Sequence, residues 1–414
     1  MEPMSQRSEP AVSPIPPDLE PGPALERIRA AARAIEPHVV RTPVLRNFGL
    51  SKDTGREVHL KLEVLQRTGA FKVRGALNKI LHLPETSREK GVIAASAGNH
   101  AQGVGMAAEL VGVPATIVMP RSTPIIKVDR TRSYGATVVL EGAHYQEAYQ
   151  HACELADQRG LTMVHPFDDA EVLLGQGTIA LELHEDLPEV DAVVVPVGGG
   201  GLIAGIALGL AALRPGVPVI GVQAANADPM ARSFRAGHPV DIENPSTIAD
   251  GIQVSRVGRL TFPLIQKHVK DVITVTEEQL AQGIVAGVEH GKVVLEGAGA
   301  AGLAALLSHQ LDEYQRIGLV LCGGNIDLNR LARVMENGLA SAGRYHVLRT
   351  ALPDRPGALA DVTAKLAEHR INILEITHYR QGWKVPLGQV HVEILVETRG
   401  PRDASELEEL VRSI

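Results

Sequence analysis

With 414 residues, 44% of them hydrophobic and 21% charged, the chain is long enough for more than one globular domain and has the balance of an ordinary folded protein. A formal charge of −7 argues against nucleic acid or anionic lipid as the main partner, and 3% aromatic residues leave little for base stacking. Cys153 and Cys322 stand far apart without metal-ligand spacing, there is no signal-peptide pattern, and no run of about 18 apolar residues suggests a membrane span, so a cytoplasmic protein is expected.

Residues 1–23 carry seven prolines and almost no apolar periodicity, which reads as a disordered or extended tail. Helical spacing begins at Ala24. From Glu57 onward, short apolar runs alternate with helical stretches: Val58–Leu62, Val92–Ala95, Ala115–Met119, Thr137–Leu140, Ala192–Val195, Val217–Val222 and Ile317–Leu321. Several lack in/out alternation, as strands buried on both faces do. The pattern predicts an α/β fold with parallel sheets in two lobes around a cleft, the smaller lobe spanning about 55–150 and the whole unit 24–341.

Near Ala342 the character changes. Tyr345–Leu352 reads as a half-exposed strand, Asp354-Arg-Pro-Gly-Ala-Leu opens a helix through His369, Ile371–Tyr379 and Gln389–Glu397 read as strands, and Ser405–Ile414 as a helix. This β-α-β-β-α order over 344–414 is a ferredoxin-like α+β unit without its last strand. Either the sequence stops short or a partner completes the domain.

Three segments carry chemistry. Lys72 lies between Phe71 and Val73, bracketed by Gly69 and Gly75. Most lysines are solvated surface charges, yet an amine in apolar surroundings loses protons more readily and suits imine formation. Ser96-Ala97-Gly98-Asn99-His100-Ala-Gln follows an apolar strand and opens a helix, where successive amides could bind a carboxylate; a plain tight turn capped by Asn99 is the alternative. Gly198-Gly199-Gly200-Gly201-Leu202 follows another strand and could let the backbone approach a phosphate. Gly199–Ala204 and Gly103–Ala108 each satisfy G-x-G-x-x-A, but neither is followed by the acid that a dinucleotide site needs, so a simple phosphate is favoured. Cys322-Gly-Gly-Asn325 closes a further strand, where Cys322 is either a ligand contact or a small core residue. An amine, an anion-binding loop and a phosphate cradle together suggest pyridoxal 5′-phosphate.

These motifs, with Thr247-Ile-Ala-Asp-Gly251 and Glu296-Gly-Ala-Gly, make the chain from about residue 25 onward resemble the threonine ammonia-lyases (threonine dehydratases). Those are fold type II pyridoxal phosphate enzymes, here with a C-terminal ACT regulatory domain. The resemblance implies a two-lobed catalytic unit, related to the tryptophan synthase β chain, that assembles as a dimer or tetramer. It implies that Lys72 carries the Schiff base and moves protons, that Phe71 packs on the cofactor ring, and that Asn99 bonds the ring hydroxyl. Gly198–Gly201 and Leu202 would give amides to the phosphate, the Ser96–His100 loop would hold the substrate carboxylate, and Cys322 would face the pyridine nitrogen as a neutral partner. In the ACT unit, Asp354, Arg355, Gly357, Ala358 and Leu359 would bind an amino-acid effector, isoleucine or valine by analogy.

Related serine racemases place a second serine where this chain has Ala97, and acidic metal ligands where it has Gln223 and Pro229. Elimination without appreciable racemisation and without divalent metal is therefore expected. The expected reaction is deamination of L-threonine to 2-oxobutanoate and ammonia, with some activity on L-serine. A dehydratase for L-serine or 3-hydroxyaspartate, or a catalytically idle amino-acid sensor, are the alternatives.

Overall fold

The computed structural model describes residues 13–341, 344–380 and 386–398. The chain divides between Ile326 and Asp327 into two compact units. The expected Ser405–Ile414 helix and residues 1–12 of the proline-rich tail lie outside the described residues. Where the tail is described it is ordered, against expectation. Pro17–Leu19 form a short 3₁₀ turn, Leu19 is fully buried, and a helix already runs from Pro21 to Ile35. Proline is well tolerated in a first helical turn, because its fixed φ suits the helix and the missing N–H would have no intrahelical partner.

A six-stranded sheet forms the larger lobe of the first unit. Its order is Val44–Arg46, Glu57–Lys61, Arg316–Val320, Ala192–Pro196, Val219–Ala224 and Asp271–Val275, and all pairings but the first are parallel. All five residues of Ala192–Pro196 are buried, as helices on both faces require. A second, four-stranded parallel sheet runs Thr137–Leu140, Ala115–Met119, Val92–Ala95 and Thr162–Met163. Along Val92–Ala95, alternate residues serve different cores. Val92 and Ala94 pack beneath the helices Lys72–Leu81 and Asn99–Leu110, while Ile93 and Ala95 pack toward the helix Tyr145–Arg159. Val92 and Ile93, fully buried, each contribute about 1.5–3 kcal/mol, and the alanines less. The smaller lobe accordingly does not begin near 55, because Glu57–Lys61 pairs with Arg316–Val320 in the large sheet.

One feature of the interior is polar. Arg74, two residues past Lys72, donates to both carboxylate oxygens of Glu63 at 2.9 and 2.8 Å and to Glu182 at 2.7 Å. Glu182 also pairs with Lys61, so two cations and two anions are buried together and balance. Removing any one would leave an uncompensated buried charge, which typically costs about 3–5 kcal/mol. The cluster ties the strand Glu57–Lys61, the helix Lys72–Leu81 and the helix Ala170–Asp186 at the base of the lysine helix.

The second unit has a three-stranded antiparallel sheet in the order Tyr345–Pro353, Gln389–Glu397, Asn372–Tyr379. The helix Ala358–Glu368 packs on it through Ala358, Val362 and Leu366, against Val390, Val392, Ile394 and Val396. The helix Leu328–Ser341, expected in the catalytic unit, groups instead with this second one and packs against Tyr345–Pro353, to which it is joined directly in the chain.

Candidate active site

Lys72 is the first residue of its helix and follows a turn built by Gly69 at φ +70°. That turn is zipped to the loop after the strand Arg316–Val320. Ala70 forms an antiparallel bridge with Gly323, Phe71 N donates to Cys322 O at 3.2 Å, and Gly324 N donates to Gly69 O at 2.9 Å. Two sequence-distant motifs are thus one backbone structure. Lys72 is half-buried, and its Nζ donates to Pro166 O at 2.9 Å and lies 5.1 Å from the centre of the Phe71 ring. Enclosure of the amine lowers its pKa to about 8, against the opposing pull of Cys322 and Glu296.

The strand Val92–Ala95 delivers the next loop. Ser96 Oγ accepts from Gly98 N at 3.1 Å, and the four residues Ser96, Ala97, Gly98 and Asn99 remain half-buried. Gly98, not Asn99, is the N-cap, and no side chain caps this helix. Asn99 turns elsewhere: its Nδ2 donates to Glu296 Oε1 at 2.6 Å, and its Oδ1 accepts from Asn325 Nδ2 at 2.8 Å. His100 differs from its loop neighbours. Its ring is buried and its Nε2 is 2.7 Å from Val164 O, so Nε2 carries the hydrogen and Nδ1 keeps a lone pair without a partner. Burial and the nearby Lys72 hold its pKa at about 3. The His100 ring is therefore neutral and engaged with Val164, leaving its backbone amide for any carboxylate.

Behind the strand Ala192–Pro196, Gly200 takes φ +101° and caps the helix Gly201–Leu213. A Cβ on Gly199 would come within 2.4 Å of the Phe167 ring, and one on Gly201 within 2.9 Å of Phe167 Cα, so only glycine fits this packing. Gly198 is half-buried, and Leu202 follows in the first helical turn.

Cys322 is buried, and its thiol is pushed up by burial and by Glu296 beside it, so it stays neutral. Glu296 precedes the helix Gly297–Leu307; desolvation raises its carboxyl to about 7, against the hydrogen bond from Asn99. Gln223 is fully buried, and its Oε1 accepts from Ala231 N at 2.9 Å.

Sequence reasoning quoted Glu296 and Asn325 only as parts of motifs and passed over Pro166, Phe167, Asp168 and Thr261. An acid directly before a Gly-Ala-Gly helix start was the available signal for Glu296. The segment His165-Pro-Phe-Asp-Asp169 gave none beyond its proline.

The site brings together an amine poised to lose its proton, a glycine turn that admits close approach at a helix N-terminus, and a neutral thiol. This set fits a phosphorylated aldehyde cofactor. A family model described as pyridoxal-phosphate dependent enzyme matches residues 35–323, and one described as ACT domain matches residues 346–414. The chain belongs to the pyridoxal-phosphate dependent enzymes. Among this family's members, the L-threonine ammonia-lyase of Thermotoga maritima is 46% identical over 387 residues, covering 94% of this chain and 96% of that one. The processed form of threonine deaminase isoform 2 from Solanum lycopersicum superposes with a TM-score of 0.75 at 36% identity, over 80% of this chain and 96% of that one. Maize serine racemase gives 0.72, also at 36% identity, over 77% and 98%. As a pyridoxal-phosphate dependent enzyme with an ACT domain, the chain pairs a small-molecule site with a second unit of a type suited to amino-acid binding. Among the described residues no helix is long and apolar enough to cross a membrane.

Proposed function

We propose that this chain is a pyridoxal phosphate-dependent L-threonine ammonia-lyase, releasing 2-oxobutanoate and ammonia, with L-serine as a lesser substrate. The observation that carries the reading is the Lys72 amine. It is enclosed, low in pKa, and backbone-coupled to the Cys322 loop, in a chain 46% identical to the Thermotoga maritima L-threonine ammonia-lyase.

The cofactor, once bound, supplies an electron sink for the bond to the proton on substrate Cα. Lys72 Nζ is the base that takes this proton, and a pKa near 8 leaves a useful fraction of free amine at neutral pH. Phe71 and Asn99 would hold the ring; Asn99 Nδ2 gives one hydrogen to Glu296 and has a second that a ring oxygen could accept. Gly198–Gly201 and Leu202 offer backbone amides to the phosphate. Cys322, neutral, would sit against the ring nitrogen without adding charge, which would leave the ring a weaker electron sink. The amides of Ser96–His100 hold the substrate carboxylate. Ala97 carries no proton donor, so protons return only on the Lys72 side and racemisation stays minor.

The finer assignments extend the same reading. The enzyme acts in the cytoplasm as a homo-oligomer without divalent metal, in the supply of isoleucine. Its ACT unit binds a branched-chain amino acid at Asp354, Arg355 and the amides from Gly357 to Leu359. Gly357 supports this, since it caps the helix Ala358–Glu368 at φ +91° with open space where a side chain would be. Asp354 and Arg355 are exposed beside it, whereas the Ala358 side chain is buried and offers only backbone.

A panel of L-threonine, L-serine and 3-hydroxyaspartate, with the 2-oxo acid and ammonia both quantified, tests the function. The highest kcat/KM is expected for L-threonine. A clear preference for either other acid, or no turnover of any, would replace the reading.

A further inference from the structure

The glycine cradle is held from outside by residues of other elements. Thr261 is fully buried, and its Oγ1 donates to Gly199 O at 2.6 Å. In a trans peptide the C=O and the following N–H point in opposite directions. Fixing the Gly199 carbonyl toward Thr261 therefore aims the Gly200 N–H away from it. The packing is close, since a Cβ on Gly200 would stand 2.8 Å from Thr261 Oγ1.

Thr261 is itself pinned. Asp168 accepts from three consecutive backbone amides, Arg259 N at 3.0 Å, Leu260 N at 2.8 Å and Thr261 N at 3.4 Å. Gly258 leaves room for this, because a Cβ there would lie 2.5 Å from both Asp168 Oδ1 and Thr261 Oγ1. Asp168 belongs to the same short loop whose Pro166 carbonyl accepts from Lys72 and whose Phe167 ring packs on Gly199. One loop thus fixes the amine at one end of the site and, through Thr261, the turn at the other.

We propose that Thr261, held in place by Asp168, is a positioning residue that orients the glycine cradle for the cofactor's phosphate. The proposal rests on the reading of Gly198–Gly201 as the phosphate site. Removing the hydroxyl frees the Gly199–Gly200 peptide to rotate, which weakens recognition of phosphate but not of the ring.

Two probes separate these effects: pyridoxal phosphate, and pyridoxal, which lacks the phosphate. Full-length protein stripped of cofactor is titrated with each and followed by visible absorbance, alongside the ³¹P chemical shift of the bound phosphate. Thr261→Val should raise the dissociation constant for pyridoxal phosphate about tenfold, a typical consequence of losing one buried hydrogen bond, and leave that for pyridoxal within about twofold. The ³¹P resonance should move as well. Thr261→Ser, which keeps the hydroxyl, should restore wild-type values, and Asp168→Asn should show the same selectivity to a smaller degree. Equal weakening of both probes, wild-type binding of both by Thr261→Val, or no rescue by serine would overturn the proposal. If wild-type protein binds pyridoxal as tightly as pyridoxal phosphate, the cradle reading itself falls, and that outcome is visible before any variant is made.

Discussion

Two helices of this protein begin in the same way, with a glycine in the left-handed region: Gly200 at φ +101° and Gly357 at φ +91°. Their surroundings are opposite. Gly200 is buried against Thr261 and Ile265, with the Phe167 ring on its neighbour Gly199, whereas nothing lies within 4 Å of where a side chain on Gly357 would be. Local backbone shape is the same in both, so it cannot by itself define what a turn binds. The Gly200 turn is built by contacts from elements far away in sequence, and the Gly357 turn stands open.

Substituting alanine at each glycine tests this contrast directly. Gly200→Ala meets both the backbone penalty of the left-handed region and a clash, and should destabilise the protein by about 3 kcal/mol and empty the site of cofactor. Gly357→Ala meets only the backbone penalty and should cost about 1 kcal/mol, with cofactor content unchanged. Denaturant titration with cofactor absorbance reads both quantities. Equal effects at the two sites would dissolve the comparison.

The asymmetry also explains what could be read from sequence. Lys72, the Ser96–His100 loop and the four glycines announce themselves because each sits at a strand-to-helix junction with a local signature. Their supports do not. Glu296 reaches Asn99 from 197 positions away, and Asp168 reaches Leu260 from 92. Strand recognition failed for similar reasons. Thr162–Met163 is two residues long, Val44–Arg46 is a short antiparallel edge, and Asp271–Val275 carries Asp271 and Thr274 in place of a continuous apolar run. The described part of the tail is ordered because Pro21 can begin a helix and Leu19 is buried, neither of which a proline count reveals.

Ionisation sharpens the contrast further, since the unit that carries Gly200 also encloses groups whose protonation is shifted by burial. Glu296 stands among Asn99, Asp250, Lys127, Lys72 and Cys322 and titrates near 7, up from the ordinary carboxylate value of about 4.5. The folded protein therefore holds a proton there that the unfolded chain has released, and stability from this group falls as pH rises from about 4.5 through about 7. Relative to Glu296→Gln, the cofactor-free wild type should lose about 2 kcal/mol across that window, after discounting for partial exposure. His100 titrates over lower pH in both proteins and cancels in the difference. A pH-independent difference would mean that Glu296 is ionised throughout.

The smallest effect is expected at the open turn. Isoleucine or valine should change KM for L-threonine about fivefold, an ordinary allosteric coupling, and Gly357→Val should remove the response while leaving basal turnover intact. Calorimetry showing no binding of any amino acid would leave the C-terminal unit a packing role only.

Reductive trapping tests the central assignment most directly. Borohydride treatment of the cofactor-loaded enzyme, followed by peptide mass spectrometry, should place the pyridoxyl group on the peptide containing Lys72, and Lys72→Ala should carry no label and no measurable threonine deamination. Label on another lysine in the wild type, or a Lys72→Ala variant that still turns over L-threonine, would contradict the account.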